Sequence, residues 1–340
     1  MATTVLDLFP THELVNYAGE VGLKQFPLME LFPAHKFETD DIWVINGQTN
    51  IPEIAHIHGE DTESEIGSRS AERTSVEAYI LKRKMLLKGS EMRKLSMPRS
   101  ADELAYLKNN VFNDATNLVN STNAALELMR VRALTEKTFT MPTAMTGATA
   151  EQKFDYGLPD SSQLSAVNFA DPNVDPIEVL EDWVDNANFD VTRGILSKKA
   201  FNAIRTNPNT VKRVNGLNSQ FGLKSVMSSE LNNFLANNDL PELVVYSQKY
   251  QDNGVTKNMI SDGRLALFGD GIVGETAFGI TEEEAALGSQ SGVDLSKVGN
   301  IALTSWHESS DPIINGIKAT ALAVPTLAQK NTLLQASVLG

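Results

Sequence analysis

Cysteine is absent from all 340 residues, which excludes disulfides, thiolate metal sites and a cysteine nucleophile together. No apolar run approaches the roughly 20 residues of a membrane-spanning helix. Met1 to Pro10 carries no basic stretch ahead of its apolar residues, so no secretory leader is expected there. Cations are in deficit: 29 Lys and Arg against 43 Asp and Glu leave a net charge of −14. A protein this acidic gains nothing from neutralising phosphates unless it gathers its basic residues on one face. Hydrophobic and charged contents of 41% and 21% are ordinary for a globular chain. The length implies about two domains. A soluble protein made in the cytosol, dispersed at high copy number by its own charge, is the expectation.

What the chain does contain is one long uninterrupted helical signal, Ser100 to Lys137. Leu104, Val111, Leu118 and Ala125 recur every seven residues, with Phe112, Val119, Leu126 and Ala133 beside them. Ala115, Thr122 and Met129 fill the same flank, giving one broad apolar stripe on an α-helix. Ser100 and Glu103 have capping-box spacing, in which each side chain bonds the other's backbone N–H. Asp102 and Glu103 suit the positive end of the helix dipole. Neither proline nor glycine occurs between Pro98 and Pro142. Such a helix would be about 50 Å long, more than a compact small domain needs. It would act as a beam, with Leu104, Val111, Leu118, Ala125, Phe112, Val119 and Leu126 as its structural residues.

Around that beam the chain divides by composition. Residues 1–40 form an arm of short apolar bursts separated by Pro10, Pro27 and Pro33, which would pack poorly alone. Strands are expected at 42–45 and 51–57, an exposed acidic tip at 59–74 and a return strand at 78–87. Residues 41–97 are thus a long two-stranded excursion, and an isolated hairpin of that kind is marginal in water without a neighbour. One basic cluster, Lys82, Arg83, Lys84, Lys88, Arg93, Lys94 and Arg99, lies just before the beam. Its ordinary meaning is a solvated or partner-facing surface, ahead of a nucleic-acid site. A turn and strand are expected at 141–157, and Ala170 to Pro176, with two Asp-Pro steps, marks the expected boundary between lobes. Helices are expected at 176–186, 197–205 and 228–236, and strands at 243–250 and 265–268. Asn253-Gly254 is a hairpin turn signal. A helical turn at 282–287, a loop at 288–292 and strands at 301–306, 317–324 and 332–338 complete a mixed α+β chain in two lobes.

Candidate chemistry is sparse. Gly269, Gly271 and Gly274 spell a dinucleotide fingerprint after an expected strand, but Glu275 to Gly279 begins no convincing helix, so no helix N-terminus would face a pyrophosphate. Glycines in a turn between β elements explain it better. His56 and His58 could share a strand face and hold a metal with Glu60 or Asp61; neutral histidines on an exposed hairpin are the commoner case. His307 lies beside Glu308 and Asp311, yet no nucleophile elbow exists for it to serve; a short polar turn between strands explains these residues more simply. The carboxylates of 178–185 fall at helical spacing around Leu180 and Trp183, as on the wet face of an amphipathic helix. No catalytic, cofactor or metal residue is assigned.

Four stretches, in order, resemble the major capsid proteins of tailed bacteriophages, specifically the lambda head-protein (capsid protein E) family. They are Phe26 to Phe32 with the 42–45 strand; Arg130 to Met141; Tyr246 to Gly269; and Asp311-Pro312, then 317–325 and a last strand. The resemblance implies the Hong Kong 97-like capsid fold, with an N-terminal arm, an extended loop, a peripheral domain on a spine helix and an axial domain. In those terms the arm is 1–40 and the extended loop 41–97, reaching over an adjacent subunit. The peripheral domain is 98–170 with 300–326, its spine 100–137, and the axial domain is 171–299 with 327–340. The implied function is structural: self-assembly into hexamers and pentamers of an icosahedral head enclosing DNA. The implied partners are other copies, scaffolding, portal and decoration proteins, and DNA only non-specifically, with no membrane. The implied location is the virion, after assembly in the host cytoplasm. The family's lysine–asparagine cross-link has no match here and is not carried over. Two alternatives are compatible with the same residues: an encapsulin-like nanocompartment shell, and a nucleotide-dependent enzyme using Gly269 to Gly274.

Overall fold

The computed structural model describes residues 9–10, 13–14, 26–37, 41–46, 72–142, 151–216, 224–287, 300–309, 313–328 and 330–340. The elements run β1 (Ala34–Lys36), β2 (Asp41–Asn46), β3 (Glu72–Glu77), β4 (Tyr79–Leu87), α1 (Gly89–Ser96) and the long helix α2 (Ala101–Thr135). Next come β5 (Thr138–Pro142), β6 (Glu151–Asp155), α3 (Pro176–Asp185), β7 (Arg193–Ser197), α4 (Lys198–Thr206), α5 (Pro208–Asn215) and α6 (Ser228–Asn237). The chain closes with β8 (Glu242–Tyr246), β9 (Lys249–Asp252), β10 (Val255–Asn258), β11 (Arg264–Phe268), β12 (Gly274–Gly279), α7 (Glu282–Leu287), β13 (Ala302–Glu308), β14 (Ile314–Leu327) and β15 (Leu333–Ser337). It forms two compact units, 1–43 with 75–129 and 275–325, and 44–74 with 130–274 and 326–340.

The first unit is a sheet packed on a helix. β14 is its axis, antiparallel to β13 through Ala302↔Thr320 to Glu308↔Ile314 and to β4 through Asn315↔Leu87 to Ala323↔Tyr79. Alternation along β14 turns Ile317, Ala319 and Ala321 to one face, where they share a core with Val111, Ala115, Leu118 and Val119 of α2. Alanine at 319 and 321 lets the helix sit close to the sheet. On the other face the Trp306 ring covers Gly316, where a Cβ would lie 2.3 Å from the indole. Only glycine fits there.

The beam is nearly as expected. Ser100 Oγ accepts from the Glu103 N–H at 3.1 Å, whereas the Glu103 carboxylate accepts from Arg99 N–H at 2.8 Å, one residue beyond the expected reciprocal partner. Val111, Leu118, Val119 and Leu126 are buried; Leu104, Phe112 and Ala125 are half-buried. None of residues 101–110 is buried, while from Leu126 to Thr135 every residue except Arg132 is. The helix therefore changes from amphipathic to enclosed, a change its threonines tolerate because Thr122 and Thr135 bond back to the carbonyls of Leu118 and Val131.

The second unit holds the sheet β15-β11-β7-β8. β11 is antiparallel to β15 and β7, and β7 runs parallel to β8 across a connection carrying α4, α5 and α6. Leu196, Leu243, Leu265 and Leu267 from the sheet pack with Ile177, Ile204, Leu231 and Leu235 from the helices. Residues 130–135 of the long helix are grouped here, and buried Gln335 donates to the carbonyls of Ala133 and Leu134 at 3.0 Å each, supplying partners that a helix end lacks. Asn253 and Gly254 take φ of 48° and 80°, the left-handed pair of a two-residue hairpin between β9 and β10.

Several expectations are corrected. The partner of β2 is β3, and β4 joins the sheet on β14 instead of closing the hairpin. Residues 89–96, expected within the excursion, are helical. The 170–176 stretch does not divide the unit: Phe169 and Ile177 share one core, and the Asn207 amide holds the carbonyls of Phe169, Asp171 and Val174 at 3.0 Å. Its prolines stiffen a loop. The 243–250 strand is broken after Tyr246, and α5 and the strands β1, β7 and β12 are additions. The 51–57 strand, most of the 59–74 tip and the 288–292 loop lie outside the described residues.

Val111→Asp or Leu118→Asp would bury an unpaired charge and cost several kcal/mol, of order 3–5. Urea unfolding or solubility of the purified variants checks this; wild-type stability of both would show that this face is not a core face.

Candidate assembly surface

The most elaborated polar arrangement in the first unit sits where the arm and the excursion join the sheet. Thr281 Oγ1 accepts from the Glu284 N–H at 3.2 Å and caps α7, whose first turn is Glu282, Glu283 and Glu284. The helix dipole favours carboxylates there. Glu283 Oε1 lies 2.8 Å from Lys318 of β14 and 3.2 Å from Lys82 of β4. Glu284 pairs with Lys36 of β1. β1 itself lies parallel to β12, Ala34↔Thr276 to Lys36↔Phe278. Two adjacent carboxylates on one short helix thus tie the N-terminal strand, the foot of the excursion and the central strand together.

Burial alone would raise the Glu283 pKa, but hydrogen bonds from Lys318 and Lys82 outweigh it and lower the pKa from 4.5 to about 2. The arm is anchored a second time just upstream. Leu28 and Phe32 are buried, and the Leu28 N–H donates to the buried Glu127 carboxylate of the long helix at 3.0 Å. Further back, Phe9 packs edge-on to Phe112 with centroids 5.5 Å apart. Periodicity does not single out the α7 clamp; the one local hint is three consecutive glutamates opening a helix behind a threonine.

The residues weighed for chemistry separate. Gly269 to Gly274 is a turn between β11 and β12, and Gly274 opens a strand, not a helix. Arg193 donates to the carbonyls of Gly269 and Gly271 at 2.7 and 2.8 Å, which fixes the turn internally. His307 sits on β13, not in a turn, and its Nδ1 lies 2.9 Å from Asn315 Oδ1 on the paired strand. The carboxylates of α3 surround a buried Leu180; Arg213 of α5 approaches Asp175 at 2.7 Å and Glu181 at 3.1 Å, joining two helices. His56, His58, Glu60, Asp61 and Asp311 lie outside the described residues. Among the described residues no three His, Asp or Glu converge as a metal site, and no helix is long and apolar enough to cross a membrane.

Because the Glu283 pKa is lowered in the fold, its clamp stabilises fully above the ordinary pKa of 4.5 and is lost as the pH falls toward 2. Glu283→Gln should therefore be less stable than wild type near pH 7 and converge with it as the pH drops through that window, measured by urea unfolding of the soluble subunit. A gap that stays constant from pH 7 to pH 2 would remove the clamp.

The family profile described as phage major capsid protein E matches residues 23–304. No curated protein matches the chain in sequence. Two solved structures are similar over almost the whole length. One is described as a capsid protein of a prophage in E. coli CFT073, with 16% identity, a TM-score of 0.62 and 99% of each chain covered. The other is a phage-related protein from Bordetella bronchiseptica RB50, with 13% identity, a TM-score of 0.56 and 96% of each chain covered. At such identities they speak for the fold, which is Hong Kong 97-like. A beam helix under a sheet, clamped where its limbs depart and bearing no assembled reaction centre among the described residues, is thus matched over most of its length by one profile: the chain belongs to the phage major capsid protein E family, whose role is structural and not enzymatic.

Proposed function

We propose that copies of this chain associate into hexamers and pentamers that close an icosahedral phage head around packaged DNA. The supporting observation is the clamp at α7, which holds the N-terminal strand and the foot of the excursion to one sheet and so sets where both limbs depart toward a neighbour. In this reading 1–40 is the arm and 41–97 the extended loop. The peripheral domain is built on the beam and the β14 sheet, and the axial domain on the β15-β11-β7-β8 sheet. Single contacts can be weak, because closure of a shell gives each subunit many of them. Scaffolding, portal and decoration proteins are the further partners, and assembly takes place in the host cytoplasm. The net charge of −14 serves packaging: a lining that held DNA tightly would obstruct it.

Electron microscopy of the concentrated protein tests the reading, with closed shells bearing five- and sixfold capsomers expected and unassembled subunits alone contradicting it. The electrostatic part predicts negligible retention of double-stranded DNA by the purified subunit at about 150 mM salt. Stable binding there would overturn it.

A further inference from the structure

Asparagine followed by glycine occurs four times, at 46–47, 215–216, 253–254 and 315–316. The pair carries its own chemistry: the glycine backbone nitrogen, unhindered by a side chain, can attack the asparagine side-chain carbonyl and close a five-membered ring. The fold decides which pair does so, since attack needs a free N–H and a side chain free to turn toward it. At 315–316 neither is free. Asn315 is buried and its Oδ1 lies 2.9 Å from His307 Nδ1. Gly316 lies in register between Leu86 and Trp306, under the indole. At 215–216 the nucleophile is taken, because the Gly216 N–H donates to the carbonyl of Lys212 at the end of α5. Gly47 lies outside the described residues.

The 253–254 pair is the exception. Both residues are exposed, neither has a hydrogen-bond partner among the described residues, and a Cβ on Gly254 would meet nothing within 4 Å. Their turn joins β9 and β10, a ribbon that pairs with no other strand among the described residues, and every residue of β10 is exposed. A two-stranded hairpin of this kind is marginal in water, so it opens locally and lets the turn leave its left-handed geometry and bring the nitrogen onto Cγ. We infer that Asn253 is a self-modification site, converted in the native subunit through a succinimide into isoaspartate and aspartate. The Gly254 nitrogen bonds to Asn253 Cγ and gives up its proton; the Cγ–Nδ2 bond breaks and the amide leaves as ammonia. One water then opens the ring. Attack at the Cγ carbonyl gives aspartate, and attack at the main-chain carbonyl gives isoaspartate; nothing is oxidised or reduced. Either product adds a negative charge beside Asp252, which holds Lys257 at 2.7 Å. Isoaspartate also lengthens the backbone inside a two-residue turn and so breaks the Asp252↔Val255 register. The step needs no second subunit and does not depend on assembly.

Peptide mapping by mass spectrometry of the purified subunit, aged in neutral to mildly alkaline buffer, tests it. Expected is conversion of the Asn253 peptide at least about tenfold faster than that of the Asn215 and Asn315 peptides, because only the first pair is free in the fold. The rate should rise with pH, since the attacking nitrogen must lose its proton, and isoaspartate should exceed aspartate. In the urea-unfolded chain the three peptides should react within about threefold of one another, the protection being the fold's. Asn253→Gly leaves a Gly-Gly turn, which suits the same hairpin, and should yield no modified peptide there. A native Asn253 that reacts no faster than native Asn315 overturns the inference, and so does a turn that reacts in urea but stays intact in the native subunit. If Asn253 keeps its full lead in urea, local sequence and not the fold sets the rate, which overturns it as well.

Discussion

The packing of one helix face on one sheet face carries the rest of the first unit. Val111, Ala115, Leu118 and Val119 meet Ile317, Ala319 and Ala321 in a single apolar cluster. Burial of this kind contributes roughly 25 cal/mol for each Å² of apolar surface removed from water, and close packing makes it sensitive to single methylenes. The alanines matter as much as the large residues, since they set how near the helix approaches β14. Gly316 plays the same part on the opposite face for Trp306. With both faces of β14 defined this way, its register against β13 and β4 is set, because a slip of one residue would exchange the two faces.

On that base the polar contacts have positional roles. Exposed ion pairs are worth little each, but Glu283 is mostly buried at 12% side-chain exposure, with lysines from two strands converging on it. Losing one partner there would leave a charge partly desolvated, so the arrangement favours one placement of β4 over others. Glu127 acts similarly for the arm, accepting a backbone N–H that an apolar helix face could not satisfy. The fold thus fixes where its limbs begin, which is what a subunit completed by neighbours requires.

Most of the architecture is legible in the sequence, and for identifiable reasons. The beam can be read to within two residues at either end because its apolar period is long and its cap is polar in the right order. Asn253-Gly254 marks its hairpin because the turn demands positive φ. Helices α3, α4 and α6 are marked by proline or serine at their starts. The elements that escape are short or decided by distant partners. β1 has three residues, all exposed, and exists only because β12 lies beside it. The boundary expected at 170–176 fails because Asn207, more than thirty residues away, binds that loop. α5 does carry a signal, Asn207 as cap and Pro208 at its first turn, but its 8 residues are too few for a period to stand out. The α7 clamp cannot be located from spacing, since Lys36, Lys82 and Lys318 come from three remote parts of the chain.

The central claim is that this chain is a shell subunit that associates with other copies of itself. Sedimentation velocity of the purified protein across a wide concentration range tests it most directly. A threshold is predicted, above which small species give way to one large, discrete particle. A single compact monomer boundary at every concentration would contradict the claim.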